Sequence, residues 1–268
     1  MRPETLGTQR YFAWLYSPPP LQGCLAILLE LEREICASAR APLEHEVAHA
    51  RLEWWRGECA RARSGSAAHP LTRSLTARSA HAPPDLTGLV DIATWDLACA
   101  TFATRTELAG YCARWAAALT EPAARLAAAP GAQARAAEFG RTLGIALKEI
   151  ELITELHLEA HRGRLRVPLD ELAAAAIDTA SLGRPPWGEA LGELLAQRLR
   201  TLRGELAASI GRLTAAERTP LRGLIVWGAL AARHAHRTEG ALPDAWRPGG
   251  ASRLADAWHS WRAARQAS

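Results

Sequence analysis

The sequence has no Cys-x-x-Cys pair, few β-branched runs, one methionine, and only three tyrosines and three phenylalanines among its 268 residues. Each shortage removes a class of protein. The five cysteines, Cys24, Cys36, Cys59, Cys99 and Cys112, are an odd number without paired spacing, which argues against a disulfide framework and fits reduced thiols in a cytosolic protein. The scarcity of β-branched stretches argues against a sheet protein. No window approaches the roughly 20 apolar residues of a membrane span. The opening stretch "MRPETLGTQRYFAWLY" interrupts with acid and polar residues the apolar run a signal peptide needs. A cytoplasmic location is expected, with peripheral membrane contact left open. Charge of one sign is missing too: 32 Lys+Arg stand against 28 Asp+Glu, a net +4. With no cluster of either sign, nucleic acid is not expected as a partner.

What is abundant points the other way. Alanine and leucine dominate, ten tryptophans supply most of the aromatic bulk, and 49% of residues are hydrophobic. That composition predicts an all-α protein with a sizeable core. Helical segments, separated at proline and glycine, are expected near 22–39, 43–63, 69–77, 86–101, 105–127, 131–161, 169–180, 187–209, 214–237 and 251–266. No internal repeat or linker divides them, so residues 1–268 read as a single domain. Almost all the basic residues are arginine, whose planar fork suits diphosphate or carboxylate. Genome base composition accounts for that abundance more simply.

One stretch carries an electrostatic problem. "KEIELITELHLEAHRGRLRVP" places Glu151, Glu155 and Glu159 four residues apart with no lysine or arginine between them. On one helix each like-charged i,i+4 pair costs about 0.2–0.5 kcal/mol. The stripe invites a cation: a metal, a guanidinium from elsewhere in the fold, or solvent counterions. Lys148 and Arg162, each three residues from a stripe glutamate, offer a purely local remedy.

The order of segments resembles the squalene/phytoene synthase family of head-to-head prenyl transferases. The resemblance runs through "RYFAWLYSPPPLQGCLAILLELEREI", "RLEWWRGE" with "HPLTRSL", "TRTELAGYCARWAAALT" and "LGIALKEIELITELHLEAHRGRLRVPLDEL". It implies an isoprenoid-synthase-type helical bundle around a central cavity, bordered by the helices near 24–39, 105–127 and 131–161. It also implies a reaction in which about three Mg²⁺, held by carboxylates on two facing helices, ionise an allylic diphosphate.

The motifs depart from the family pattern where that chemistry resides. The first acidic helix reads "REICASAR": Arg33 is kept, but the family's two aspartate positions fall on Cys36 and Arg40, and the intervening one on Ala37. Arg40 places a fixed positive charge where a cation binds in the family. On the second helix the family's acids become Glu151, Glu155 and Glu159, weak candidates for Mg²⁺ because glutamate reaches about one methylene further. The diphosphate-facing arginine there is replaced by Thr154. Arg33, Tyr111 and Arg164 are the candidate diphosphate-facing residues, and no catalytic residue is assigned. If the fold is the family's, Arg40 approaches the glutamate stripe across the cavity mouth and takes the place of the metal.

Other constellations carry less. His157 with His161, and His45 with His49, have half of a zinc site's spacing, but no third ligand is identifiable and a solvated helix face is the simpler reading. Trp54 and Trp55 read as core packing, "RHAHRTEG" as an exposed helix end, and Cys36 as a structural thiol rather than a nucleophile. The expectation is a squalene/phytoene synthase-like pseudoenzyme. It needs no cofactor and either keeps an apolar cavity for an isoprenoid or lipid-like ligand or serves a protein partner as an assembly subunit. The alternative is an active prenyl transferase with a rebuilt, glutamate-based Mg²⁺ site.

Overall fold

Proline and glycine set the breaks between helices. In the computed structural model, which describes residues 6–39, 44–78, 83–242 and 253–267, every regular element among the described residues is helical. The chain opens with α1 (Gln9–Tyr16), capped by the Thr8 side chain, which accepts from the Tyr11 backbone N–H. The proline run then starts α2 (Pro19–Ala37), with proline in its first turn, where no intrahelical N–H partner is needed. There follow α3 (His45–Arg63), α4 (Pro70–Arg78), α5 (Thr87–Leu97), α6 (Arg105–Ala118) and α7 (Thr120–Ala127). The second half comprises α8 (Gln133–Thr154), α9 (Leu156–His161), α10 (Leu169–Ala174), α11 (Glu189–Gly211), α12 (Ala215–Ala241) and α13 (Arg253–Gln266).

Three segments expected to be continuous are split, among them 169–180, where α10 ends at Ala174 and a separate 3₁₀ turn follows at Thr179–Ser181. The stretch 105–127 breaks at Leu119 (φ −123°, ψ −67°), just ahead of "TEPAARL". The stretch 131–161 breaks at Glu155 (φ −100°, ψ 7°). There the Thr154 hydroxyl donates back to the Glu151 carbonyl at 3.0 Å, a local bond that competes with the helix and bends it. The glutamate stripe is therefore shared between two helices.

Helix α8 is the axis of the bundle, packed by α6, α7, α11 and α12. Its close neighbours reach it because two positions lack a Cβ. A methyl on Gly144 would stand 2.0 Å from Thr120 Oγ1 and 2.7 Å from Ala116 Cβ, and one on Gly140 would stand 2.5 Å from the Thr120 carbonyl. Leu21, Leu25, Leu28, Leu29, Leu31 and Ile35 of α2 are fully buried, each stabilising by up to about 1.5–3 kcal/mol. On another side of α8, buried Glu149 receives both Nη atoms of Arg105, at 2.5 and 2.6 Å, and Arg198 Nη1 at 3.2 Å. This places α6 and α11 against it.

Two glycine substitutions separate packing from propensity. Gly144→Ala should lower the stability measured by urea unfolding by about 1–3 kcal/mol, because backbone and a hydroxyl must move. Gly204→Ala, in α11 with nothing within 4 Å of the added carbon, should raise it by up to about 1 kcal/mol. A Gly144→Ala protein as stable as the parent would contradict the close α6–α8 contact.

Candidate functional site

The acidic face of α8 meets the chain's own cations. Glu151 accepts from Lys148 Nζ at 2.6 Å and from Arg10 Nη2 at 3.1 Å. Arg10, on α1, also grips Glu32 of α2 through both Nη atoms at 2.5 and 3.2 Å, and the Trp115 indole N–H of α6 donates to the same carboxylate at 2.6 Å. The Arg10 guanidinium lies 5.7 Å from the Trp227 ring of α12, and Lys148 Nζ 5.8 Å from the Trp115 ring. One polar cluster thus ties together α1, α2, α6, α8 and α12. Lys148 is the only lysine in the sequence. Its side chain is buried, which alone would disfavour the charge. Glu151, then Tyr111 and Glu32, reverse that and hold its pKa well above the ordinary value.

A second cluster adjoins the first, and a glycine creates it. Gly163 adopts φ +78° after α9, its N–H bonding to the Ala160 carbonyl while that of Arg164 bonds to the Glu159 carbonyl at 2.9 Å. This left-handed stop reverses the chain, so "RLRV" folds back on Glu159. Arg166, with a side chain 1% exposed, places Nη2 2.8 Å from both Glu159 Oε2 and Asp96 Oδ1. Tyr111 O–H donates to the same Asp96 oxygen at 3.0 Å. Arg164 Nε donates to the Asp96 carbonyl at 3.1 Å, and Arg162 Nη1 to Glu159 Oε1 at 2.9 Å. Burial, followed by the field of Asp96, pushes the Tyr111 phenol up despite Lys148. Arg166 Nη1 is buried with no hydrogen-bond partner.

The candidates fare unequally. Tyr111, Arg164, Glu151 and Glu159 converge on these clusters. Arg33 does not: its side chain is 53% exposed on the outer side of α2 and pairs with Glu30, beside a hollow of about 300 Å³ lined also by Arg51, Trp54 and Trp55. Glu155 lies between Glu151 and Glu159 and makes no ion pair among the described residues. Its pKa is raised by burial of its surroundings first and by Glu151 next. Arg40 lies outside the described residues, and with it the expected bridge across the cavity mouth. The local pairs Lys148–Glu151 and Arg162–Glu159 are both formed.

Further residues were missed in the sequence. Glu32 is an acid on the first acidic helix, one turn before Cys36 and on the same face. It lies just ahead of the "REICASAR" stretch, and its i,i+4 spacing to Cys36 was the available signal. Arg10, Asp96 and Arg166 had none, because each finds its partners across the fold. Cys36 is half-buried beside Glu32, and burial followed by that carboxylate raises its thiol to about 12, which disfavours the thiolate that a nucleophile needs. Trp54, expected in the core, is 46% exposed, while Trp55 is buried. In the run read as an exposed helix end, Arg233 forms an ion pair with Asp256 at 3.4 Å and His234 meets Gln9 at 2.8 Å. His45 and His49 touch each other on an exposed face, and no three His, Cys, Asp or Glu among the described residues gather to hold a metal ion. The donor set does not suit magnesium: Glu32, Asp96, Glu151 and Glu159 already accept from guanidinium or ammonium groups, leaving Glu155 alone.

Comparison with known proteins agrees with the architecture. The family model of squalene/phytoene synthase matches residues 5–252. The chain belongs to the squalene/phytoene synthase family. A dehydrosqualene synthase crystallised with a ligand superposes with a TM-score of 0.74 over 97% of this chain and 90% of the other, at 12% identity. Squalene synthase HpnC from Alicyclobacillus acidocaldarius superposes with a TM-score of 0.62 over 87% of this chain and 89% of its own, at 16% identity. At such identities the likeness is one of fold. No curated protein matches the chain.

The two kinds of glutamate predict opposite pH effects. Burial raises the pKa of Glu151, but Lys148 and Arg10 override it and bring it down to about 2. Its contribution to stability is therefore complete above the unfolded value of about 4.3 and fades as pH falls towards 2. Lys148→Met should lower the melting temperature at neutral pH, by an amount that shrinks on acidification through that window. Glu155, with a raised pKa, destabilises the charged folded state, but its side chain is exposed and screened by solvent, so Glu155→Gln should stabilise by no more than about 0.2 kcal/mol at neutral pH and have no effect well below about pH 4. Loss of stability in Glu155→Gln at neutral pH would show that its carboxylate has a partner.

Proposed function

We propose that this chain is a catalytically silent member of the squalene/phytoene synthase family, in which internal cations have taken over the role of the metal cluster, and that it serves as a non-catalytic partner subunit. One observation supports this above all: the acids of both acidic helices, Glu32 on α2 and Glu151 on α8, share Arg10 between them. Diphosphate ionisation needs metal to offset the charge developing on the leaving group, and this electrostatic term usually dominates such steps. Carboxylates bound to arginine and lysine do not supply it. A partner role is favoured over a ligand-carrying one because Glu32, Tyr111 and Trp115, all buried, stand where the family's cavity is expected.

A second reading rests on Arg166 Nη1. A buried guanidinium nitrogen without an acceptor suits one oxygen of an anionic ligand, which favours residual diphosphate binding in a rebuilt site.

Incubation with farnesyl diphosphate and Mg²⁺ separates the two. The silent reading expects no squalene, phytoene or presqualene diphosphate above a no-protein control, and no rise in melting temperature on adding Mg²⁺. Product formation that disappears in Glu151→Gln or Glu159→Gln would overturn it. Calorimetric binding of farnesyl diphosphate, lost in Arg166→Met and present without Mg²⁺, would support the second reading.

A further inference from the structure

Helix α13 exposes an unusual face. Leu254 is 85% exposed, Trp258 56% and Trp261 40%, and Arg262 and Arg265 are exposed beside them. At about 100° per residue these five side chains fall within an arc of about 100°. Together they form one ridge along the helix. The two indoles stack, with centroids 5.0 Å apart and planes at 28°, and the Arg265 guanidinium lies 5.1 Å from the Trp261 ring.

The opposite face is fully engaged. Ser260, Ala263, Ala264 and Ala267 are buried, with Ala263 and Ala264 in a small core with Phe12 of α1 and Val226 and Leu230 of α12. The helix's one acid, Asp256, is turned away from the ridge and forms an ion pair with Arg233 of α12 at 3.4 Å. The exposed face therefore combines apolar depth with positive charge and, among the described residues of the helix, carries no carboxylate.

We infer that this ridge docks the protein onto an anionic phospholipid bilayer, with α13 lying in the plane of the interface. Tryptophan settles at the headgroup level, where its ring is half apolar and its N–H remains wet. Leu254 and the two indoles enter the boundary region while Arg262 and Arg265 meet lipid phosphates, the arrangement of an interfacial amphipathic helix. Charge weighs against a second copy packed in parallel, since two such ridges would then oppose arginine to arginine, and neither Arg262 nor Arg265 would find a carboxylate on the other ridge. Shape favours lipid over a rigid protein surface, because a one-helix ridge needs a matching groove in a protein but only local yielding in a bilayer. The inference is independent of whether the central site is silent.

Co-sedimentation of the full chain with vesicles tests it. Binding is expected on phosphatidylcholine mixed with about one third phosphatidylglycerol and should weaken on phosphatidylcholine alone, by about five-fold for each arginine engaged. Trp258→Ala with Trp261→Ala should reduce binding at least about ten-fold, and Arg262→Glu with Arg265→Glu should abolish preference for the anionic vesicles. All four positions are exposed, so melting temperatures should match the parent; if the tryptophan variant melts early, the arginine variant decides. No binding by the parent, equal binding to both vesicles, or unchanged binding by the tested variants would overturn the inference. So would a parent dimer in sedimentation velocity that dissociates in Trp258→Ala with Trp261→Ala, which would assign the ridge to self-association.

Discussion

The placement of one guanidinium, that of Arg10, between Glu32 and Glu151 governs the centre of the molecule. Two carboxylates on facing helices repel each other in a partly dry interior, and each loses hydration on burial. The desolvation penalty runs to several kcal/mol per ion, comparable with the attraction of a good pair at an effective dielectric of about 20. The net gain from the cluster is therefore small, whereas deletion of a single member strands a charge. That asymmetry binds Arg10, Lys148, Glu32 and Glu151 into one unit. Removal of any one of them leaves a buried partner uncompensated.

Fold and polar centre rest on different contacts here. The bundle superposes on dehydrosqualene synthase over nearly its whole length, held by apolar surfaces such as the inner face of α2 and by the close approach of α6 and α7 to Gly140 and Gly144. None of those contacts involves the polar residues at the centre. A helical scaffold of this kind keeps its shape under changes that alter what its interior can do.

What the sequence disclosed follows the range of each interaction. The breaks at proline and glycine, and the local pairs Lys148–Glu151 and Arg162–Glu159, act within a turn or two, and all were legible. The break at Thr154 is also local, but it depends on a hydroxyl choosing the Glu151 carbonyl over solvent, and spacing alone does not reveal that choice. Arg10 and Glu32 are 22 positions apart, and Arg166 and Asp96 are 70 apart. In a chain so rich in arginine, nothing marks these ones as interior. Glu32 shows the limit most clearly: a family motif directs attention to fixed positions, and the acid that matters lies one turn ahead of them.

Lys148 has a practical consequence beyond the site itself. As the sequence's single lysine, it is the chain's only ε-amine, and it is buried under Glu151. Amine-directed acylation of the native protein therefore has no exposed side chain to attack. Any label found on residue 148 records the moments when α8 parts from its neighbours, which makes this one nitrogen a built-in clock for the opening of the core.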